Sequence, residues 1–332
     1  MLDTRLTARL GLTSPVMLAP MALSAGGELA AVCAQMGAFG MVGGGYGDLE
    51  WTSREWDVAA QRLKGSDSAE RIGCGFITWR LDLDASALDW VLDQPMRPRA
   101  IFLSFGDPRP YASRIAGAGA VLVCQIQQMA QLPQCVEAGA AIIVAQGAEA
   151  GGHGAAGHDA RGSFTLVPEV ADWLSRHAPD TLLLGAGGVA DGRGLAAMLM
   201  LGADGAVVGT RLWASRESLA MKGALDAAIE ANGDATARSG VFDVLRRKNW
   251  PEKYDFRALR NAMHREWEGR LEELKCDPVA ARAQYDAAFK TGDFSVAHVP
   301  VGEGVGLIED TPSAAELLGR MTREAACLLG KA

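Results

Sequence analysis

The chain has 332 residues, 49% of them hydrophobic and 22% charged, which is enough for one large core or two and too apolar for disorder to be the default. A net charge of −8 without any long run of Lys and Arg excludes a nucleic-acid-binding stripe, so no nucleic-acid partner is expected. No apolar stretch reaches the roughly eighteen residues of a membrane span, and Met1–Arg5 lacks the apolar core of a secretory signal. The six cysteines, Cys33, Cys74, Cys124, Cys135, Cys276 and Cys327, form no CxxC pair. They point to a reduced cytoplasm, with neither disulfides nor a zinc site.

Short apolar runs alternate with helical patterns. Val16–Pro20 predicts a first strand, followed by a loop and a helix over Glu28–Met36. Ala38–Val42 predicts a second strand, running into Gly43-Gly44-Gly45-Tyr46-Gly47, with a helix around Ser53–Leu63. Ile72–Ile77 is the third strand, Ala85–Leu92 a short helix, Ala100–Ser104 the fourth strand and Ala120–Gln125 the fifth. A helix over Gln128–Ala138 leads to the sixth strand, Ala140–Ala145. A long loop, Gln146–Ser163, then precedes a helix over Val167–His177. The seventh strand is Thr181–Ala186, with Asp191 placed to cap the helix after it, and the eighth is Ala206–Val208.

The runs are continuous rather than alternating, as in strands buried on both faces of a parallel sheet. Eight such units predict an α/β fold, a (β/α)₈ barrel whose strands end in loops on one face. The helical patterns Ser218–Ala231, Phe256–Lys275, Pro278–Lys290 and Ala314–Leu329 predict a mostly helical C-terminal cap. The expected division is a barrel over residues 1–215, a helical cap and substrate region over 216–300, and over 301–332 a glycine-rich loop and a last helix returning to the barrel.

The chemistry sits in the loops. Gly187-Gly188 and Gly209-Thr210 follow adjacent strands, where barrels commonly hold a phosphate on backbone N–H groups. Gly185-Ala186-Gly187-Gly188-Val189-Ala190 also satisfies the dinucleotide pattern, with Asp204 about twenty residues on. It lies in the seventh unit rather than the first, and Asp204 precedes a strand instead of ending one, so that reading is rejected. No Walker loop and no HExxH occurs, and no metal is expected, although His153, His158 and Asp159 share one loop. Ala145-Gln146-Gly147-Ala148-Glu149-Ala150-Gly151-Gly152-His153-Gly154 delivers an imidazole from a glycine-dense loop, a candidate acid or base. The alternative is a histidine tied to backbone carbonyls. Arg246-Arg247-Lys248 reads as a solvated helix face, and His177, His264 and His298 as structural, His298 the least so.

The 145–154 stretch, Gly185–Gly194 and Leu201–Arg211 resemble the signatures of nitronate monooxygenases, formerly 2-nitropropane dioxygenases. Pro15–Met21 and Gly302–Ile308 are similar as well. The resemblance implies an FMN-binding barrel with the phosphate on Gly187, Gly188, Gly209 and Thr210. Ala19, Pro20 and Met21 would line the flavin, Gln125 would face the pyrimidine edge of its ring, and Gln146 would lie close by. Gly75, Gly151, Gly152 and Ala186 fall in the same cofactor-binding segments. His153 matches the catalytic histidine of the family. The implied reaction is oxidation of alkyl nitronates, or of nitroalkanes, by O₂ to a carbonyl compound and nitrite. An FMN-dependent NAD(P)H reductase acting on quinones or enoyl thioesters is the second reading, and a flavin-free phosphate-binding barrel the third. Ile77 stands where many members have an asparagine, and Glu303 where a glutamine is common. Trp79, His298 and Glu303 are the expected substrate contacts, with Arg80 as a compensating cation, and the exposed cap offers a surface for a homodimer.

Overall fold

The computed structural model describes residues 2–331, with the side chain of His158 outside the described part. Among the described residues, eleven strands form two sheets: β1 (Val16–Leu18), β2 (Gly40–Gly45), β3 (Ile72–Ile77), β4 (Ala100–Ser104), β5 (Val121–Ile126), β6 (Ile142–Gln146), β7 (Gly152–Ala155), β8 (Leu182–Ala186), β9 (Gly205–Val208), β10 (Thr236–Ser239) and β11 (Tyr254–Leu259). The larger sheet runs β1-β9-β8-β6-β5-β4-β3-β2, with every pairing parallel. A parallel bridge from Met17 to Phe39 joins its two edges, so the eight strands make a barrel. Every residue of β2, β3, β4, β6, β8 and β9 is buried, which is why their sequences are continuous apolar or glycine runs instead of alternating ones.

The intervening helices cover the outside of the barrel. Asp191 caps the helix Gly192–Met200 as its position suggests, accepting from the Gly194 amide at 3.1 Å. Asp204 lies at the opposite end of the barrel from the loops, accepting from the Leu183 amide at 2.9 Å, with Arg5 at 3.8 Å. Helices over Arg5–Leu10 and Arg109–Gly117 add to the expected set.

Trp213 to Ile308 build a second hydrophobic cluster around Phe242, Phe256, Tyr285 and Phe294. The last helix, Ala314–Leu328, instead buries Leu317, Leu318 and Met321 in the barrel core. Its Glu324 accepts from the Gly192 amide at 2.8 Å, fixing it to the helix after β8.

Two expectations about the chain after the sixth strand are corrected. Phe256–Lys275 is not one helical segment: β11 comes first, then short helices over Ala262–Trp267 and Leu271–Cys276. The Tyr254–Leu259 stretch buries alternate residues at its start, the period of a strand, and it finds partners on both sides. The loop after β6 is not all loop either. It contains β7, which pairs antiparallel with β11, placing His153 opposite Phe256, while β10 flanks β11 on its other edge. The C-terminal region is thus a small antiparallel sheet plus helices, and the barrel's own histidine loop supplies one of its strands. No helix among the described residues is long and apolar enough to cross a membrane.

Candidate active site

One cavity of about 510 Å³ opens at the C-terminal ends of the barrel strands. Ala19, Pro20, Met21, Gly75, Gln125, Gln146, Gly151, Gly152, His153, Ala186, Gly187, Gly188, Gly209, Thr210 and His298 all line it. Trp79 and Glu303 are not among its lining residues. Trp79 packs edge-on behind Trp250 at 5.4 Å, and Glu303 is paired with Arg257 at 2.8 Å.

On one wall, Gly187 and Gly188 have φ of 105° and 73°, conformations that any side chain would strain. Among the described residues, no acceptor meets the amides of Gly187, Gly188 or Gly209. Glycine backbone bent open at the ends of β8 and β9 leaves donors facing the cavity, the usual chemistry of a phosphate cradle. Glu149 also lines the cavity beside it. Its carboxylate accepts from the amide and hydroxyl of Ser163, each at 2.9 Å, at the positive end of the helix Ser163–His177.

Gln146, the last residue of β6, links the floor to the histidine. Its Oε1 accepts from Gln125 at 3.2 Å and from Gln127 at 3.0 Å, and its Nε2 donates to the His153 carbonyl at 3.1 Å. A half-buried Arg238 fixes the rest of the loop. It donates to the carbonyls of Ala148 at 3.1 Å, Ala150 at 2.8 Å, Gly152 at 3.2 Å and Asp255 at 2.9 Å. A Cβ on Gly154 would stand 2.7 Å from that guanidinium, so the glycine makes room for the arginine. Burial lowers the pKa of Arg238 to about 10, still charged at neutral pH.

The His153 ring is buried. Its Nε2 lies 3.0 Å from each carboxylate oxygen of Asp243, on the short helix Val241–Leu245. Trp250 stacks flat on the imidazole, with centroids 3.4 Å apart and planes 11° from parallel. Burial lowers the His153 pKa to about 4, outweighing the opposing pull of Asp243. The neutral ring therefore carries its proton on Nε2, donated to Asp243, and leaves Nδ1 as an acceptor. On the far side, Tyr285 and His298 share a hydrogen bond of 2.7 Å between the hydroxyl and Nδ1. Burial raises the pKa of Tyr285 to about 12 and drives that of His298 well below its ordinary value.

Arg246, Arg247 and Lys248 correct a further expectation. The helix ends at Leu245, so the three residues are not a helix face; they line the cavity mouth, with Arg246 and Lys248 half-buried and Arg247 exposed and paired with Asp286. The Arg247 backbone has φ of 57°; Leu23 and Phe105, at 61° and 66°, are the other non-glycine residues with positive φ among those described. All three line this cavity, the usual place for stored backbone strain. Sequence reading missed Asp243, Trp250, Arg238 and Arg246. The one available signal was their place between the helical segment Ser218–Ala231 and the Phe256–Lys275 segment, whose start is a strand.

The profile of the nitronate monooxygenase family matches residues 76–324. A nitronate monooxygenase of Metarhizium robertsii, npaC, is 35% identical, with 94% of this chain and 91% of that protein covered. One from Neurospora crassa is 32% identical, covering 94% and 89%. Among solved structures, FabK from Thermotoga maritima matches with a TM-score of 0.81 at 23% identity, covering 100% of this chain and 98% of that one. A nitroalkane oxidase from Streptomyces ansochromogenes matches with a TM-score of 0.76 at 23% identity, covering 97% and 99%. The chain belongs to the nitronate monooxygenase family of oxidoreductases.

Proposed function

We propose that this protein is an FMN-dependent enzyme that oxidises alkyl nitronates with O₂ to a carbonyl compound and nitrite. The observation that carries the reading is a single cavity with a glycine cradle on one wall and the His153–Asp243 pair on the other. The names of the relatives in Metarhizium robertsii and Neurospora crassa support it.

The residues fit FMN. The open amides at Gly187, Gly188 and Gly209 suit its phosphate, and Ala19, Pro20 and Met21 offer a bed for the ring. Gln125, joined to Gln146, supplies a neutral polar group at that wall. When bound, FMN supplies the electron acceptance and the reaction with O₂.

The chain positions the substrate and handles its proton. With Nε2 committed to Asp243, His153 can accept an α-proton from a neutral nitroalkane at Nδ1. Asp243 then steadies the cation that forms. A nitronate has already lost that proton. Its negative charge beside the ring would raise the imidazole pKa and draw a proton onto Nδ1, turning His153 into a donor. Trp250, Phe105 and Phe256 surround the ring and keep bulk water from competing.

The test begins with colour. The purified protein is expected to absorb near ~450 nm and to release FMN on denaturation. Mixed with a nitronate in air, it should consume oxygen and form nitrite. A colourless protein, or one that oxidises NADH briskly while leaving nitronates untouched, would overturn the proposal.

A further inference from the structure

We propose that Arg246 anchors the negatively charged end of the substrate, making the site selective for the nitronate anion over the neutral nitroalkane. This deepens the reading above and rests on it. Arg246 lines the cavity, and its side chain is 13% exposed. Its guanidinium carbon lies 4.8 Å over the ring of Phe256, and the His153 ring is also 4.8 Å from that ring. The cation and the imidazole therefore share one aromatic neighbour.

Among the described residues, Arg246 has a buried Nη1 without an acceptor beside the His153–Asp243 pair. Asp243 is the nearest anion, at 4.0 Å, and both of its oxygens already lie 3.0 Å from His153. Beside it, the Tyr46 hydroxyl accepts from Trp250 Nε1 at 3.0 Å and also interacts with the Arg246 guanidinium. The neighbouring half-buried arginines are used differently: Arg238 holds loop carbonyls, and Arg257 holds Glu303, Thr236 and Ala148. A buried guanidinium nitrogen without an acceptor is costly to the free protein and becomes favourable when an anion arrives.

The fork of a guanidinium matches two oxygens in one plane, which a nitronate presents as it does a carboxylate. The surroundings agree. Lys248 adds positive charge at the same cavity, while the charge of Arg247 is taken up by Asp286 at 2.7 Å. Ile77, also lining the cavity, supplies no hydrogen bond to a nitro group, so that task falls to another side chain. The positive charge of Arg246 also helps keep His153 and His298 neutral.

The experiment uses the flavin-loaded protein, wild type, Arg246→Gln and Arg246→Lys. Each is assayed with a nitronate and with the neutral nitroalkane of the same skeleton, and titrated calorimetrically with nitrate, a planar anion that does not react. The ratio of kcat/KM for nitronate over nitroalkane should fall by about 30-fold or more in Arg246→Gln, mostly through KM, and less in Arg246→Lys. Nitrate should bind the wild type measurably and Arg246→Gln at least about tenfold more weakly. Equal losses on both substrates with nitrate binding unchanged would overturn the proposal and leave Arg246 as a support for Asp243. If the wild type turns over no nitronate yet binds nitrate through Arg246, the anion site stands and the nitronate reading fails.

Discussion

His153 and Asp243 are 90 positions apart in the chain, and the Nε2 of one lies 3.0 Å from both oxygens of the other. The contact joins the barrel's sixth loop to the C-terminal region at the point where the chemistry is expected. Asp243→Asn keeps the volume but replaces the carboxylate by an amide. It should lower kcat/KM roughly 10–100-fold while FMN stays bound, the scale of losing a group that orients a reactive imidazole. Turnover and released flavin, measured on the same sample, check both halves.

His153→Ala should go further, cutting turnover by roughly 10²-fold or more with cofactor content unchanged. Wild-type turnover in this variant would return His153 to a purely structural role.

Acid should destabilise the protein through its buried imidazoles. His153 has a folded pKa of about 4 against an ordinary 6.5, and His298 is also held well below 6.5. Between those values the unfolded chain binds more protons than the folded one, so stability falls as pH drops from about 6.5 towards 4. Each such group contributes a slope of at most about 1.4 kcal/mol per pH unit. Denaturant titrations from pH 7 to 4.5 should show this fall, and His298→Asn should flatten the slope by up to that amount. An unchanged slope would mean that His298 titrates normally.

Arg238→Met removes a half-buried cation from the carbonyls of Ala148, Ala150, Gly152 and Asp255, Ala148 also accepting from Arg257 at 3.2 Å. It should cost about 3 kcal/mol or more in unfolding free energy and also loosen the His153 loop. The paired checks are the denaturation midpoint and protease sensitivity between Gln146 and Ser163.

Gly188→Ala tests the cradle. Its φ of 73° is strained for alanine by roughly 1–2 kcal/mol, and relief of that strain would turn the amide away from the cavity. Flavin affinity should weaken while the overall fold persists, as read by equilibrium dialysis against FMN and by circular dichroism.

The sequence alone determined the barrel. Continuous apolar runs such as Ile72–Ile77 and Ala100–Ser104 are buried on both faces, and that requirement is local enough to be written in each run. The cavity loops were legible for a similar reason. Gly187 and Gly188 occupy conformations that favour glycine, so backbone geometry leaves a mark on composition. Only the tertiary structure decided the other wall. Tyr254–Leu259 becomes a strand because β7 and β10 lie on either side of it, and its short alternation does not say which segments those partners are. Asp243 and Trp250 meet His153 only once that small sheet has formed, as side-chain contacts between segments about ninety residues apart, and Arg246 is brought to the site by packing over Phe256, the residue paired with His153. Charge alone marked Arg246-Arg247-Lys248 as a surface. Packing against Phe256 and Tyr46 turned it into the lining of the site.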